Sequence, residues 1–195
     1  MNTITKPQEW LLSAFLFALT LLFVGLLVLN LDFQAWAFER HQNQLSWYIR
    51  PILILPILFF AYHRRIIGVS VSILALFTSM IWFPVPQSTP PLVKEFLTYE
   101  KEFLQAGLTA KNVLFAFLVI SFFIVIVRAT WLHSWKLVGL ILIITALSKI
   151  IWSYMDSGQA GLTIVVPALV GLMICLLALA FWQKKKSSVC LFYTS

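Results

Sequence analysis

Four charged residues stand where an apolar chain has least use for charge. Arg50 lies in SWYIRP, Glu100 in FLTYEKEFL, Lys149 in LSKIIWSYMD, and Asp156 closes that last stretch. A charge at membrane depth is costly, so it pairs, faces a cavity or marks a functional site. One carboxylate between two cations can tie segments of the chain together. The same group can share its cations with the anionic part of a ligand, or a carboxylate can act as acid or base. Arg50, Glu100, Lys149 and Asp156 are therefore the ligand-binding or ion-pair candidates. No catalytic residue can be assigned. The plainer alternative is that Arg50 and Lys149 snorkel to the headgroups along their alkyl stems, and that Glu100 simply reaches water.

The chain that must position them has 195 residues, 61% hydrophobic and 11% charged, with a mean hydropathy of +0.94. A soluble domain is about 45–50% apolar and about 25% charged. The composition predicts an all-α, polytopic membrane helical bundle in a single integral membrane domain, residues 1–195. The net charge of +7 is read as a topological signal rather than a nucleic-acid footprint, because many basic residues gather in short loops between apolar runs. The partners expected are membrane lipids, with other membrane subunits or further copies of the chain, and no nucleic acid.

Continuous apolar runs predict six transmembrane helices, at about 10–31, 45–62, 66–83, 112–127, 137–155 and 162–182, since about 20 residues cross the hydrocarbon core. A β-barrel would need alternation instead. HRR (His63–Arg65), RATWLHSWK (Arg128–Lys136) and KKK (Lys184–Lys186) then share one side with Lys6 and the N-terminus. The positive-inside rule makes that side cytoplasmic, which places the chain in the cell inner (plasma) membrane with both termini cytoplasmic. Asp32, Glu39, Glu95, Glu100, Glu102 and Asp156 fall on the other side; of the acidic residues only Glu9 is inside. AWA (Ala35–Ala37) resembles a signal-peptidase site. The run before it, about 22 residues, is longer than the usual 7–15 of a signal core, so a retained first span is expected.

Between the third and fourth spans the pattern changes. Pro84, Pro86, Pro90 and Pro91 end the span, because proline lacks the donor a helix needs. Ser88 or Thr89 can cap the next helix. An extracytoplasmic amphipathic helix is predicted at about 90–106. Leu92, Val93, Phe96, Leu97, Tyr99, Phe103 and Leu104 share an arc of about 160° on its wheel. Glu100 projects near the centre of that arc. If it points into the bundle, Arg50 and Lys149 are its candidate partners, with Asp156 close by. Gly107 is the expected stop and Thr109 the expected cap of the next span. Pro56 and Pro167 fall inside predicted spans and predict kinks, and Gly171 with Cys175 form a small-xxx-small pair suited to close helix packing.

No metal site and no cofactor are expected. Of the three histidines, His41, His63 and His133, the last two are expected at the cytoplasmic surface with no acidic ligand beside them, and Cys175 and Cys190 form no CxxC pair. HExxH, Walker, GxSxG and Rossmann patterns are lacking. HRR, WFPVP and FLTYEKEFL, together with LSKIIWSYM, resemble an uncharacterised family of small polytopic prokaryotic membrane proteins. The likeness covers about half the chain and implies no activity. The expected function is a small transporter-like or accessory membrane subunit with an outer-side polar site. The alternative is a membrane-embedded enzyme acting on a lipid or lipid-linked substrate.

Overall fold

The computed structural model describes residues 6–192, with side chains through residue 184. The termini and the side chains of Lys185, Lys186 and Cys190 lie outside the described residues. Within them every regular element is helical. In chain order these are α1 (Lys6–Leu29), α2 (Leu31–His41), α3 (Leu45–Ile52), α4 (Ile54–Tyr62), α5 (Ile66–Thr78, extended by a 3-10 turn to Ile81), α6 (Pro91–Gln105), α7 (Ala110–Trp131), α8 (Trp135–Ser157), a 3-10 stretch (Gly158–Ile164) and α9 (Val165–Phe192).

Four stretches are long and apolar enough to cross a membrane: Lys6–Leu29, Leu45–Tyr62, Ala110–Trp131 and Trp135–Lys184. The last folds back on itself. Val138 and Leu142 of α8 share a core cluster with Cys175 and Leu179 of α9, so the two helices run antiparallel about the 3-10 stretch. Ile66–Ile81 is a shorter apolar helix. Only 17–28% of the most apolar window in each of the four stretches is buried. Leu11, Leu21, Phe117, Ile120, Leu177 and Phe181 are all more than half exposed. A water-soluble monomer rarely tolerates an apolar surface of that extent, whereas hydrocarbon does.

The observed limits differ from the expected ones for local reasons. The first helix ends at Leu29, not residue 31. Asn30 is extended, and its side chain accepts the backbone N–H of Phe33 at 2.9 Å, starting α2; asparagine competes with helix in this way. The second span breaks at Leu53. Pro56 has no N–H to offer the carbonyl of Ile52, and its ring crowds that carbonyl. Pro167 does not kink a span, because α9 begins only at Val165. It therefore sits in a first turn, where a missing N–H costs nothing. The cap of α6 is also different. Pro90 is the N-cap residue, with Pro91 at the first helical position, and Thr89 instead donates its hydroxyl to Gln42 Oε1 at 2.9 Å. Gly107 stops α6 with a positive φ of 70°, and Thr109 caps α7 by accepting from the Asn112 amide.

Gly171 is where α9 meets α3. A Cβ there would stand 2.3 Å from the Pro51 ring. One turn on, Cys175 Sγ contacts the Pro51 carbonyl oxygen at 3.4 Å. Elsewhere α1 packs on α5, and α4 packs on α5 and α7. The molecule thus has two unlike ends. At the turn end, α4–α5 and α7–α8 are joined by tight reversals. At the capped end, α2 and α6 lie over a core of Phe23, Leu27, Phe38, Trp47, Met80, Phe96 and Ile164.

Candidate functional site

Helix α6 docks by Val93, Phe96 and Leu97, which are 1–5% exposed. Leu92 and Tyr99, expected on the docked arc, are instead 46% and 39% exposed. The helix is rolled so that its Phe103 side faces α7 and α8. Phe103 packs edge-on against Phe115 and Trp152. That roll brings Glu100 onto α8. Lys149 Nζ donates to Glu100 Oε1 at 2.9 Å, and both side chains are half-buried. The same ammonium lies 5.7 Å from the centre of the Phe96 ring.

Asp156 is paired with neither Arg50 nor Lys149. It forms an ion pair with Lys111 in the first turn of α7. The Lys111 ammonium stands 5.5 Å from the ring centres of both Phe103 and Trp152. Arg50 makes no ion pair with a described residue. Its Nε is buried without a hydrogen-bond partner, although Glu100 and His41 lie close enough to interact with it electrostatically. The structure thus brings Glu100 and Lys149 into contact, leaves Arg50 within electrostatic range of Glu100 but not paired with it, and gives Asp156 a different partner.

Two helical stripes of identical spacing face each other here. On α6 they are Phe96, Tyr99, Glu100 and Phe103; on α8 they are Lys149, Trp152, Ser153 and Asp156. Each runs i, i+3, i+4, i+7, the spacing of one helix face. With Phe115 and Ser157 they line a cleft with about 40 Å³ of free volume. About 10–15 Å³ of such free volume holds one water, so the cleft has room for a few waters or one small polar group. Ser153 is 2% exposed, and its Oγ has no partner among the described residues. Such an orphan is uncommon and calls for an explanation.

His41 completes the polar region from the α2 side and is a residue that sequence reasoning passed over. It is 4% exposed, and its Nδ1 lies 2.9 Å from Ser46 Oγ. The Ser46 hydroxyl already donates to the Asn43 carbonyl at 2.8 Å. Nδ1–H is therefore the donor to Ser46. Burial first, then the charges of Arg50 and Lys149, hold the imidazole well below its ordinary range. It is neutral at pH 7. Gln34, fully buried, donates to the Leu27 carbonyl at 2.9 Å and accepts from Gln105 Nε2 at 2.7 Å, tying α2 to α6. Asn112 Nδ2 donates to the Phe103 and Gly107 carbonyls, tying the end of α6 to α7.

The missed residues carried faint signals. Lys111 reads as a loop charge when the fourth span is taken from residue 112, although the expected Thr109 cap already puts it in a first turn. Ser153 is visible only once the α8 stripe is written out beside that of α6. At the turn end, His63 and His133 flank Tyr62, with ring centres 5.0 and 4.7 Å away, and no group of three metal-ligating residues occurs among the described residues. No family model matches the chain, and no curated protein or solved structure is detectably similar to it; the resemblance to small polytopic prokaryotic membrane proteins rests on the quoted motifs alone.

Proposed function

We propose that the chain is a small transporter-like or accessory subunit of the cell inner (plasma) membrane, with six spans, both termini cytoplasmic and α6 on the extracytoplasmic face. The spans are α1, α3 with α4, α5 with its 3-10 turn, α7, α8 and α9. Arg64, Arg65, Arg128, Lys136 and Lys184 then gather at the turn end, and positive loops favour the cytoplasm. Bulk lipid surrounds the apolar belt.

The observation that carries the functional reading is the pair of facing stripes on α6 and α8. An amphipathic helix laid over a bundle needs no charge on its docked side. This one places Glu100 there, against Lys149, at the edge of a cleft lined also by Ser153, whose hydroxyl is buried without a partner among the described residues. Both carboxylates that an enzymatic reading would use, Glu100 and Asp156, are engaged in ion pairs.

Two measurements test the reading. With the native cysteines replaced, single cysteines at Ser88 and Ser134 are labelled with an impermeant maleimide. Ser88→Cys should react in intact cells and Ser134→Cys only after permeabilisation; the reverse pattern would invert the topology. Thermal unfolding of purified protein is then screened against solutes and lipids. A stabilising compound whose effect is lost in both Lys149→Ala and Glu100→Gln supports the site. Unchanged stability and unchanged stabilisation in both variants would remove it, and turnover abolished by Glu100→Gln would favour the enzyme.

A further inference from the structure

We infer that the cleft between α6 and α8 takes a primary ammonium group. This inference deepens the site proposed above and rests on it. The opposite expectation, an anionic ligand, follows from counting Arg50 and Lys149 together. The cleft itself does not include Arg50 or His41. Its lining carries two carboxylates, Glu100 and Asp156, each already met by an ammonium, Lys149 and Lys111, together with the rings of Phe96, Tyr99, Phe103, Phe115 and Trp152. Aromatic faces attract cations through the ring quadrupole. Carboxylates and rings together form a cation's environment.

The molecule already holds ammonium groups in that environment. Lys111 reaches in from α7, pairs with Asp156 and stands over Phe103 and Trp152. Its side chain is 49% exposed, so it can swing out and yield its place without unpacking the helix. Glu100 is occupied by Lys149. Asp156 is therefore the carboxylate that an incoming cation takes over. Ser153 Oγ, buried and without a donor, distinguishes the kind of cation. A quaternary ammonium has no N–H to give it. A primary ammonium has three, enough for a carboxylate and a hydroxyl. About 40 Å³ is room for a few waters, enough for the ammonium and the first carbons of its stem. The group could arrive as a soluble alkylamine or as the ethanolamine headgroup of a membrane lipid.

The test uses the full chain in phosphatidylcholine nanodiscs, followed by thermal unfolding. Ethylammonium chloride is titrated against sodium chloride at equal ionic strength, with sodium phosphate as the anionic arm. Ethylammonium should stabilise the parent protein. Lys111→Met, which removes the competing ammonium, should bind it about tenfold tighter, and Lys111→Gln serves if the methionine variant does not fold. Adding Asp156→Asn should abolish the effect. Nanodiscs containing phosphatidylethanolamine should stabilise the Lys111 variant and suppress its response to ethylammonium if the lipid is the source; an undiminished response assigns a soluble amine. Stabilisation by phosphate in place of ethylammonium would overturn the ammonium assignment while leaving a binding site. No response to any probe in a folded Lys111 variant would overturn both.

Discussion

The two ends of the bundle solve the same problem with different chemistry. Each must tie several helices together where apolar belts stop. The turn end does it with rings. Tyr62, Trp135 and Trp182 stand 5.3–5.5 Å apart pairwise, with His63 and His133 against Tyr62. The reversals beneath them are short, and Arg64 and His133 adopt positive φ. Arg65 N–H bonds back to the Phe60 carbonyl and Ser134 N–H to that of Ala129, the Schellman pattern in a form without glycine. The capped end has rings too, Trp47 on Phe96 and Phe103 on Phe115 and Trp152, but adds ion pairs, amides and an imidazole: Lys149 with Glu100, Lys111 with Asp156, Gln34 with Gln105, His41 with Ser46. Phenol and indole rings at an interface give strength that depends little on pH or salt. Charges and amides give a joint whose strength depends on both. A polar joint can also open for a ligand, which an interlocked aromatic cluster does poorly.

Truncation is the severest trial of this contrast. Phe96→Ala at the capped end, where the ring packs on Trp47 at 5.5 Å, should cost about 3–5 kcal/mol as a core aromatic deletion. Trp182→Ala at the turn end should cost about 2 kcal/mol, since that ring is only half-buried. Denaturant unfolding in a mild detergent measures both. If Trp182→Ala costs more, the turn end is the stronger joint.

The pH response should separate the ends next. His41 is held neutral in the fold, so the unfolded chain binds a proton that the folded one refuses. Stability should be level above pH about 6.5 and fall as the pH drops below it, by up to about 1.4 kcal/mol per unit while the difference in protonation lasts. His41→Asn should flatten that part of the profile. A slope unchanged in His41→Asn assigns the effect to another group.

The smallest effect should be that of the half-exposed ion pair. Lys149→Ala and Glu100→Gln should show a coupling of about 0.5–1 kcal/mol in a double-mutant cycle, the upper part of what solvent-screened pairs give. That coupling should shrink between about 0.05 and 0.5 M salt by screening. The turn-end cluster, tested in the same way with Tyr62→Leu and Trp182→Leu, should keep its coupling across the same range. A salt-independent Lys149–Glu100 coupling would mean the pair is buried more deeply than its exposure indicates.

Much of this architecture is legible residue by residue. Apolar runs predict helices because backbone groups in hydrocarbon must be satisfied within the segment, and the helices stand where the runs do. Pro90 and Pro91, Gly107 and Thr109 mark the limits of α6 and the start of α7 by local stereochemistry alone. Glu100 can be suspected because a carboxylate on an apolar arc must be answered by something. Helix α2 was not legible. Its buried stripe is Gln34, Ala37, Phe38 and His41; two of the four are polar, so hydropathy does not register a docked face.

The set of helices and the residues unfit for hydrocarbon are written in the chain itself, because both follow from the local balance of backbone hydrogen bonding and side-chain transfer. Which charge meets which is a matter of packing. Lys149 and Glu100 are 49 residues apart, and Lys111 and Asp156 are 45 apart. The roll of α6 on its bed, set by how Val93, Phe96 and Leu97 fill the core below, chooses among partners that the sequence leaves equivalent. The same roll turns a line of charges into a cleft walled by aromatic rings.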